Sequence, residues 1–367
     1  GRIDYSALSY AAIACAKENE WEEGLNLLNI YGTAGKFGNQ VISVDAINSI
    51  IAAAGRSGRP DVAIQLLNEM SSKYSAQPNE RTYRSVLISC NQAEHEKRRQ
   101  RKRFLRANNG KLPGFESDEN DPLALFWWEA ALSLFRRMKE EGLKPDMQSY
   151  SSVISACEAA GQWQRAIGVL RGMKSEENIN PNLFCFNAAI AACEKGGAWL
   201  EAVELYERMQ LQDSPVRPNF ITMNSILIAL DNAGQKEMAE SIYQEAIKEK
   251  TVKPWKWTWD DESRRIRVMD LHRFSAPMSK IAVRNVIDSL LLGKPVHDDK
   301  KDLTIIVGKG KGSEDGIRVL LPEVRTLLQN EYGLESWVDK KNDGRLYIKS
   351  SDLQKFTNFN FIEEESE

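Results

Sequence analysis

The stretch CEAAGQWQRAIGVLRGM at residues 157–173 recurs as CEKGGAWLEAVELYERM at residues 193–209. Cys157, Trp163, Ala166 and Met173 are thus met again as Cys193, Trp199, Ala202 and Met209, each 36 positions further on. Outward from this pair, the junctions Pro145-Asp146, Pro181-Asn182, Pro218-Asn219 and Pro254-Trp255 keep the same beat. A period of this length marks an array in which one supersecondary unit stacks on the next.

Each unit reads as a helical hairpin. From Tyr150 to Cys157, small and apolar residues recur at helical spacing, Gly161 interrupts, and Trp163 to Met173 forms a second helix. Ala166, Ile167, Leu170 and Met173 share one face of it. Asn180 precedes Pro181, and a residue before proline resists the helical region, so the unit ends there. A hairpin of this kind cannot bury its apolar stripe alone, which is why the units must stack. They fall at about 5–43, 44–79, 80–146, 147–182, 183–219 and 220–255.

Bulk properties set outer bounds. The 367 residues, 42% hydrophobic and 28% charged, suffice for two or more domains with ordinary cores. No apolar run reaches the roughly 20 residues of a membrane helix, so no membrane span is expected. A net charge of −3 gives no whole-chain attraction to nucleic acid, and any such binding must rest on local patches. Four of the five cysteines, Cys15, Cys90, Cys157 and Cys193, sit at one place in the first helices of four units. That placement reads as small buried packing in a reducing compartment rather than as redox or metal chemistry.

The third unit is longer, because Pro78 and Pro145 stand 67 positions apart. The excess predicts an insertion at about 94–123 between its two helices. The inserted stretch opens on Lys97, Arg98, Arg99, Arg101, Lys102, Arg103 and Arg106 and ends in an acidic run from Glu116 to Asp121. It reads either as a solvated loop carrying its own counter-charge or as a phosphate-binding arm.

After Pro254 the rhythm stops. Trp255, Trp257 and Trp259 form an aromatic cluster, expected to pack on the last repeat, with base stacking as the alternative. Strands are expected at 266–271, 303–307, 336–338 and 345–348, and helices at 278–292 and 316–331, with a hairpin turn at Asn342-Asp343-Gly344. This order implies a small two-layer sandwich over 256–350, followed by an acidic tail at 351–367.

Two resemblances follow. Residues 5–255, with hairpins ending Pro-Asp or Pro-Asn and an aromatic residue before Ser or Asn opening the first helix, as in Tyr150-Ser151 and Phe186-Asn187, resemble pentatricopeptide repeats. Tetratricopeptide repeats carry Trp and Tyr inside the first helix. Here Trp21, Trp163 and Trp199 instead start the second. Residues 264–350 resemble the small MutS-related (Smr) domain, through Met269-Asp270-Leu271-His272 and through Val307-Gly308-Lys309-Gly310-Lys311-Gly312-Ser313. Val307 stands where that family carries Thr or His. Together the resemblances imply a mainly α fold: a right-handed α-solenoid followed by a small α/β two-layer sandwich.

The first resemblance implies single-stranded RNA as partner, one base being read per repeat by two or three side chains. The implied base-reading residues are Ser9, Asn48 with Asn79, Arg84 with Asp146, Ser151 with Asn182, Asn187 with Asn219, and Asn224. Family rules give adenine to Ser–Asn and a pyrimidine to Asn–Asn, and leave the Arg84 and Asn224 units unassigned. Without the resemblance, an asparagine at a helix start reads as a cap. Six units read at most about six bases, so further units before Gly1 are expected; the opening at Gly1 reads as a mature form or a fragment.

The second resemblance implies a nuclease site. His272 would be the general acid or base, and Asp270 would orient it or hold a divalent ion such as Mg²⁺. Gly308, Gly310 and Gly312 would offer backbone N–H groups to a phosphate, with Lys309, Lys311 and Arg273 as cations. The functions expected are therefore RNA selection with endonucleolytic cleavage, RNA selection or protection with a non-catalytic phosphate pocket, or a protein-docking scaffold. The family pairing implies an organelle, the chloroplast ahead of the mitochondrion.

Overall fold

The computed structural model describes residues 5–34, 42–107, 126–259, 265–294, 297, 301–308 and 319–356. The chain divides into two compact units, 1–217 and 218–367.

In the first unit, among the described residues, five hairpins follow one another. They pair α1 (Tyr5–Lys17) with α2 (Trp21–Ala34), α3 (Val44–Arg56) with α4 (Pro60–Lys73), and α5 (Glu80–Ala107) with α6 (Trp127–Glu140). The series continues with α7 (Met147–Ala159) and α8 (Trp163–Glu177), then α9 (Leu183–Gly196) and α10 (Trp199–Gln210). Each first helix packs on its own partner and on the first helix of the next hairpin, so α1, α3, α5, α7 and α9 form one continuous layer. The repeated residues are what this stacking buries. Ala63, Ala131, Ala166 and Ala202 are fully buried in successive second helices, as are Met70, Met138, Met173 and Met209.

The hairpin turn needs a left-handed residue, which glycine adopts without a Cβ penalty. Gly161 (φ 69°) and Gly197 (φ 71°) supply it in phase. The cysteines are packing groups: all five are unpaired, and burial pushes the thiols of Cys90, Cys157 and Cys193 up to about 12.

One expectation about this unit fails. The insertion in the third repeat does not leave the helix at residue 94, because α5 runs on to Ala107 and carries the basic run as helix. Lys, Arg, Gln and Glu are good helix formers, and a helix needs no apolar stripe once packing has nucleated it. The acidic stretch 116–121 lies outside the described residues.

The second unit holds the sixth hairpin, α11 (Phe220–Asn232) with α12 (Lys236–Lys248), and a five-stranded sheet. Its strands are β1 (Trp255–Trp259), β2 (Arg265–Asp270), β3 (Leu303–Ile306), β4 (Trp337–Val338) and β5 (Arg345–Ile348), in the order β1-β2-β3-β5-β4. Among the described residues only β2 and β3 run parallel, and their crossover carries α13 (Ala276–Leu291). Helix α14 (Leu320–Tyr332) packs beside α13. Met269, Ile305 and Leu346 lie in register across three strands and are fully buried, which fixes the core face of the sheet.

The sequence puts the domain boundary after residue 255. The structure groups the sixth hairpin with the sheet, because α11 and α12 both pack against α13. Likewise the expected tail from 351 begins as helix over 350–356, with Leu353 buried. The tryptophan cluster is a strand, paired antiparallel with β2, and not a plug for the last repeat.

Candidate functional site

Two groups of residues were expected to act, one along the repeats and one at the end of β2. Along the repeats, the last residue of units two to five caps the next helix with its side chain; Ser43 of the first unit sits at the N-cap without a side-chain bond, and Trp255 of the sixth lies in β1. Asp146 Oδ1 accepts the Ser149 amide at 2.8 Å, Asn182 Oδ1 that of Cys185 at 3.0 Å, and Asn79 Oδ1 that of Thr82 at 3.0 Å. Asn219 closes a full capping box with Thr222. The cap reading of these residues therefore holds. It does not exclude a second task, because capping uses Oδ1 and leaves the Asn182 amide nitrogen on an exposed side chain.

The early residue of each first helix has a different fate in each repeat. Ser9 and Asn48 are buried, at 9% and 1% exposure, which removes both as base readers in this arrangement. They sit where the first-helix layer packs on the next repeat, and Asn48 Nδ2 meets Asn79 Oδ1 at 3.4 Å. Arg84 pairs with Asp146 at 2.5 Å, charge against charge. Asn224 Oδ1 accepts the backbone amide of Ser275, the N-cap of α13, at 3.2 Å, so the sixth repeat spends that residue on the sheet domain. Ser151 and Asn187 are half-buried. The positions still able to meet a base are thus concentrated at Ser151, Asn182 and Asn187, with Asn79 exposed at a helix start.

A polar cluster links the same first helices nearer their carboxyl ends. His95 on α5, Glu158 on α7 and Lys195 on α9 join three consecutive first helices. His95 Nε2 lies 2.9 Å from Ser155 Oγ and 3.5 Å from Glu158 Oε2, and Glu158 also pairs with Arg98 at 3.4 Å and with Lys195. Burial, then Lys195, Arg98 and Arg99, push His95 down to about 4. Of the basic run, Arg98 is therefore neutralised by Glu158 and Arg99 by Glu96, while Arg101 and Arg103 are exposed.

The second group sits at the carboxyl end of β2, between the neighbouring strands. The Asp270 amide donates to Pro254 O at 2.6 Å and the Leu271 amide to Ile306 O at 2.8 Å, so both flanks hold the turn. Asp270 Oδ1 is 2.5 Å from His272 Nδ1 and accepts the His272 amide at 3.3 Å; Oδ2 pairs with Lys256 of β1. Burial would raise the Asp270 carboxyl, but the Lys256 ammonium and the His272 ring and amide outweigh it and hold the group below the usual range. Asp270 is 11% exposed and His272 48%, so the carboxylate is the buried holder and the imidazole the accessible group.

The glycine motif joins this site at its first residue. Gly308 has φ 78°, and a Cβ there would lie 3.4 Å from the His272 Cβ. Its expected role as a phosphate donor is not met, because its amide donates to Gly344 O at 3.1 Å. Val307 does the same at 3.0 Å. Both bonds tie the motif to the turn before β5. Lys309, Gly310, Lys311 and Gly312 lie outside the described residues. Arg273 is exposed, with its guanidinium 5.7 Å from the Phe220 ring centroid.

A divalent ion does not fit what is described. Asp270 is one carboxylate with both oxygens engaged, and among the described residues no three His, Cys, Asp or Glu side chains cluster. Sequence reasoning missed Lys256. Its signal was the alternation Trp-Lys-Trp-Thr-Trp, which is a strand period.

Comparison with known proteins decides the repeats. The family description "Pentatricopeptide repeat domain" matches residues 133–195, and "PPR repeat" matches 46–74 and 184–213. This chain contains pentatricopeptide repeats. No curated protein matches it in sequence. Similar solved structures include the PPR domain of Arabidopsis thaliana protein-only RNase P 1 in complex with tRNA, 15% identical at TM-score 0.39, over 53% of this chain and 84% of that one. The maize pentatricopeptide repeat protein PPR10 is 20% identical at TM-score 0.39, over 79% of this chain. Nuclear protein-only RNase P 2 of Arabidopsis thaliana is 13% identical at TM-score 0.43, over 55% of this chain. The matches span 38% of the maize protein and 37% of RNase P 2.

Proposed function

We propose that this protein binds single-stranded RNA through its pentatricopeptide repeats and that the Asp270–His272 pair acts on the phosphodiester backbone of the bound strand. The observation that carries the first half is the fourth and fifth repeats, where the polar positions stay accessible in phase: Ser151 and Asn187 on first helices, Asn182 at the cap between them. Such repeats read one base each with two or three side chains. The setting implied by the resemblance is an organelle, the chloroplast ahead of the mitochondrion.

For the second half, Asp270 fixes the imidazole through Nδ1, leaving Nε2 as the nitrogen that exchanges a proton. A base at Nε2 can take the proton of a ribose 2′-hydroxyl, whose oxygen then attacks the adjacent phosphorus. The bond to the leaving 5′-oxygen breaks, giving a 2′,3′-cyclic phosphate, while that oxygen takes a proton from solvent water to leave as a 5′-hydroxyl and the His272 imidazolium later returns its proton to solvent. Lys256, beside Asp270, supplies local positive charge. A second reading keeps the RNA binding and omits cleavage; it is favoured by the Gly308 amide being spent on Gly344.

The test selects RNA from a random single-stranded pool, then incubates the selected sequence with wild type and His272→Ala. Binding with an adenine opposite the Ser151/Asn182 repeat, and a cut end lost in the variant, is expected. Equal cut ends from both proteins remove the catalytic half, and failure to enrich any sequence removes the first.

A further inference from the structure

Strand β1 is an edge of the sheet, and its alternate residues Trp255, Trp257 and Trp259 point to one face. Directly across on β2 stand Met269, Arg267 and Arg265 in register. Among the described residues, the first rung is the covered one. Met269 is buried, and Trp255 is half-buried, stacked 6.2 Å from the His297 ring with the Arg267 guanidinium 4.6 Å from its centroid. The outer rungs are open: Trp257 is 58% exposed, Trp259 66%, and the Arg265 guanidinium stands 4.9 Å from the Trp257 centroid.

Large exposed aromatic surface needs a reason. A purely apolar partner would desolvate the exposed Arg265 guanidinium beside Trp257, which is costly. A strand of unpaired nucleotides satisfies both residue types at once: bases stack on indole faces, and phosphates meet the guanidinium groups. Side chains two apart on a strand are separated by about 7 Å, which lets successive tryptophans take successive bases. We infer that the outer rungs of the β1–β2 ribbon, Trp257, Trp259, Arg265 and Arg267, form a stacking platform for single-stranded RNA with little base preference. The inference rests on the RNA-binding reading and extends it, because no repeat residue takes part.

The experiment measures, with the full chain, the affinity of labelled oligoadenylate, oligouridylate and oligocytidylate and of an abasic ribose-phosphate oligomer. Trp257→Ala with Trp259→Ala should weaken each base-bearing oligomer by on the order of tenfold or more. Binding of the abasic oligomer should stay unchanged, and Trp257→Phe with Trp259→Phe should restore most of the loss. Arg265→Ala with Arg267→Ala should weaken all four and flatten the salt dependence. Wild type that binds RNA while the tryptophan-to-alanine variant, folded by circular dichroism, binds equally well overturns the platform and leaves the repeats standing. Wild type that binds none of the base-bearing oligomers, nor any selected RNA, overturns both.

Discussion

Arg84 Nη1 and Asp146 Oδ2 lie 2.5 Å apart, joining two residues 62 positions distant in the chain. In the third repeat these are the two positions that would read a base, and they satisfy each other instead. Asp146 also caps α7 through Oδ1, so one carboxylate holds a helix start and a neighbouring cation together.

That double use separates two substitutions. Asp146→Asn keeps the cap and loses a partly exposed ion pair, a cost of roughly 0–1 kcal/mol. Asp146→Ala loses both, and should cost roughly 1–2 kcal/mol in chemical denaturation. Equal losses for the two variants would mean the cap contributes nothing.

Gly196 ends α9 against Trp163 of the preceding hairpin. A Cβ there would clash with the indole Cδ1 and lie 2.9 Å from the Gly161 carbonyl oxygen. In an isolated helix Gly→Ala is stabilising. Here Gly196→Ala should destabilise by about 1–3 kcal/mol, through overpacking between repeats four and five. A melting temperature at or above wild type would show that the two hairpins do not approach this closely.

His95 gives the first unit a pH dependence of known sign. The unfolded chain takes up the imidazole proton near 6.5 and the folded chain only near 4. Between those values the unfolded state binds more protons, so stability present at neutral pH is lost as pH falls through the window. Glu158 would welcome the proton but is already shared with Lys195 and Arg98. The loss should be on the order of 1–2 kcal/mol between pH 7 and pH 4. His95→Asn should show a shallower pH dependence of its denaturation midpoint.

The repeats were legible because burial and period coincide. Ala166 and Ala202 recur in the sequence and both are fully buried. What the period could not report is what covers a position: Asn48 and Asn187 occupy equivalent sites, yet one is enclosed and the other half-buried. Helix α5 was cut short in the reading because residues 96–106 carry charges without an apolar stripe, although their helix propensity is high. At the second site, Asp270 and His272 were named from the family resemblance of Met269-Asp270-Leu271-His272, and their side chains do meet. Lys256 was not, because its partner lies across a strand pair that only the register of β1 and β2 brings together.

The same contact sets the last prediction. If Asp270 selects the imidazole tautomer and Lys256 keeps Asp270 ionised, the three residues must differ in how they fail. His272→Ala removes the proton-transfer group and should lower RNA cleavage by on the order of 10²–10⁴. Asp270→Asn keeps the shape but can present its amide to Nδ1 and reverse the tautomer, so a loss of similar order is expected, with RNA affinity unchanged. Lys256→Ala leaves the Asp270–His272 bond in place and removes only a half-exposed cation, so a loss of about tenfold or less is expected. Replacing the scissile ribose by its 2′-deoxy form should abolish cleavage by all four proteins, because the attacking oxygen is gone. Cleavage of that deoxy substrate by wild type would mean that water is the nucleophile and that His272 does not act on the 2′-hydroxyl.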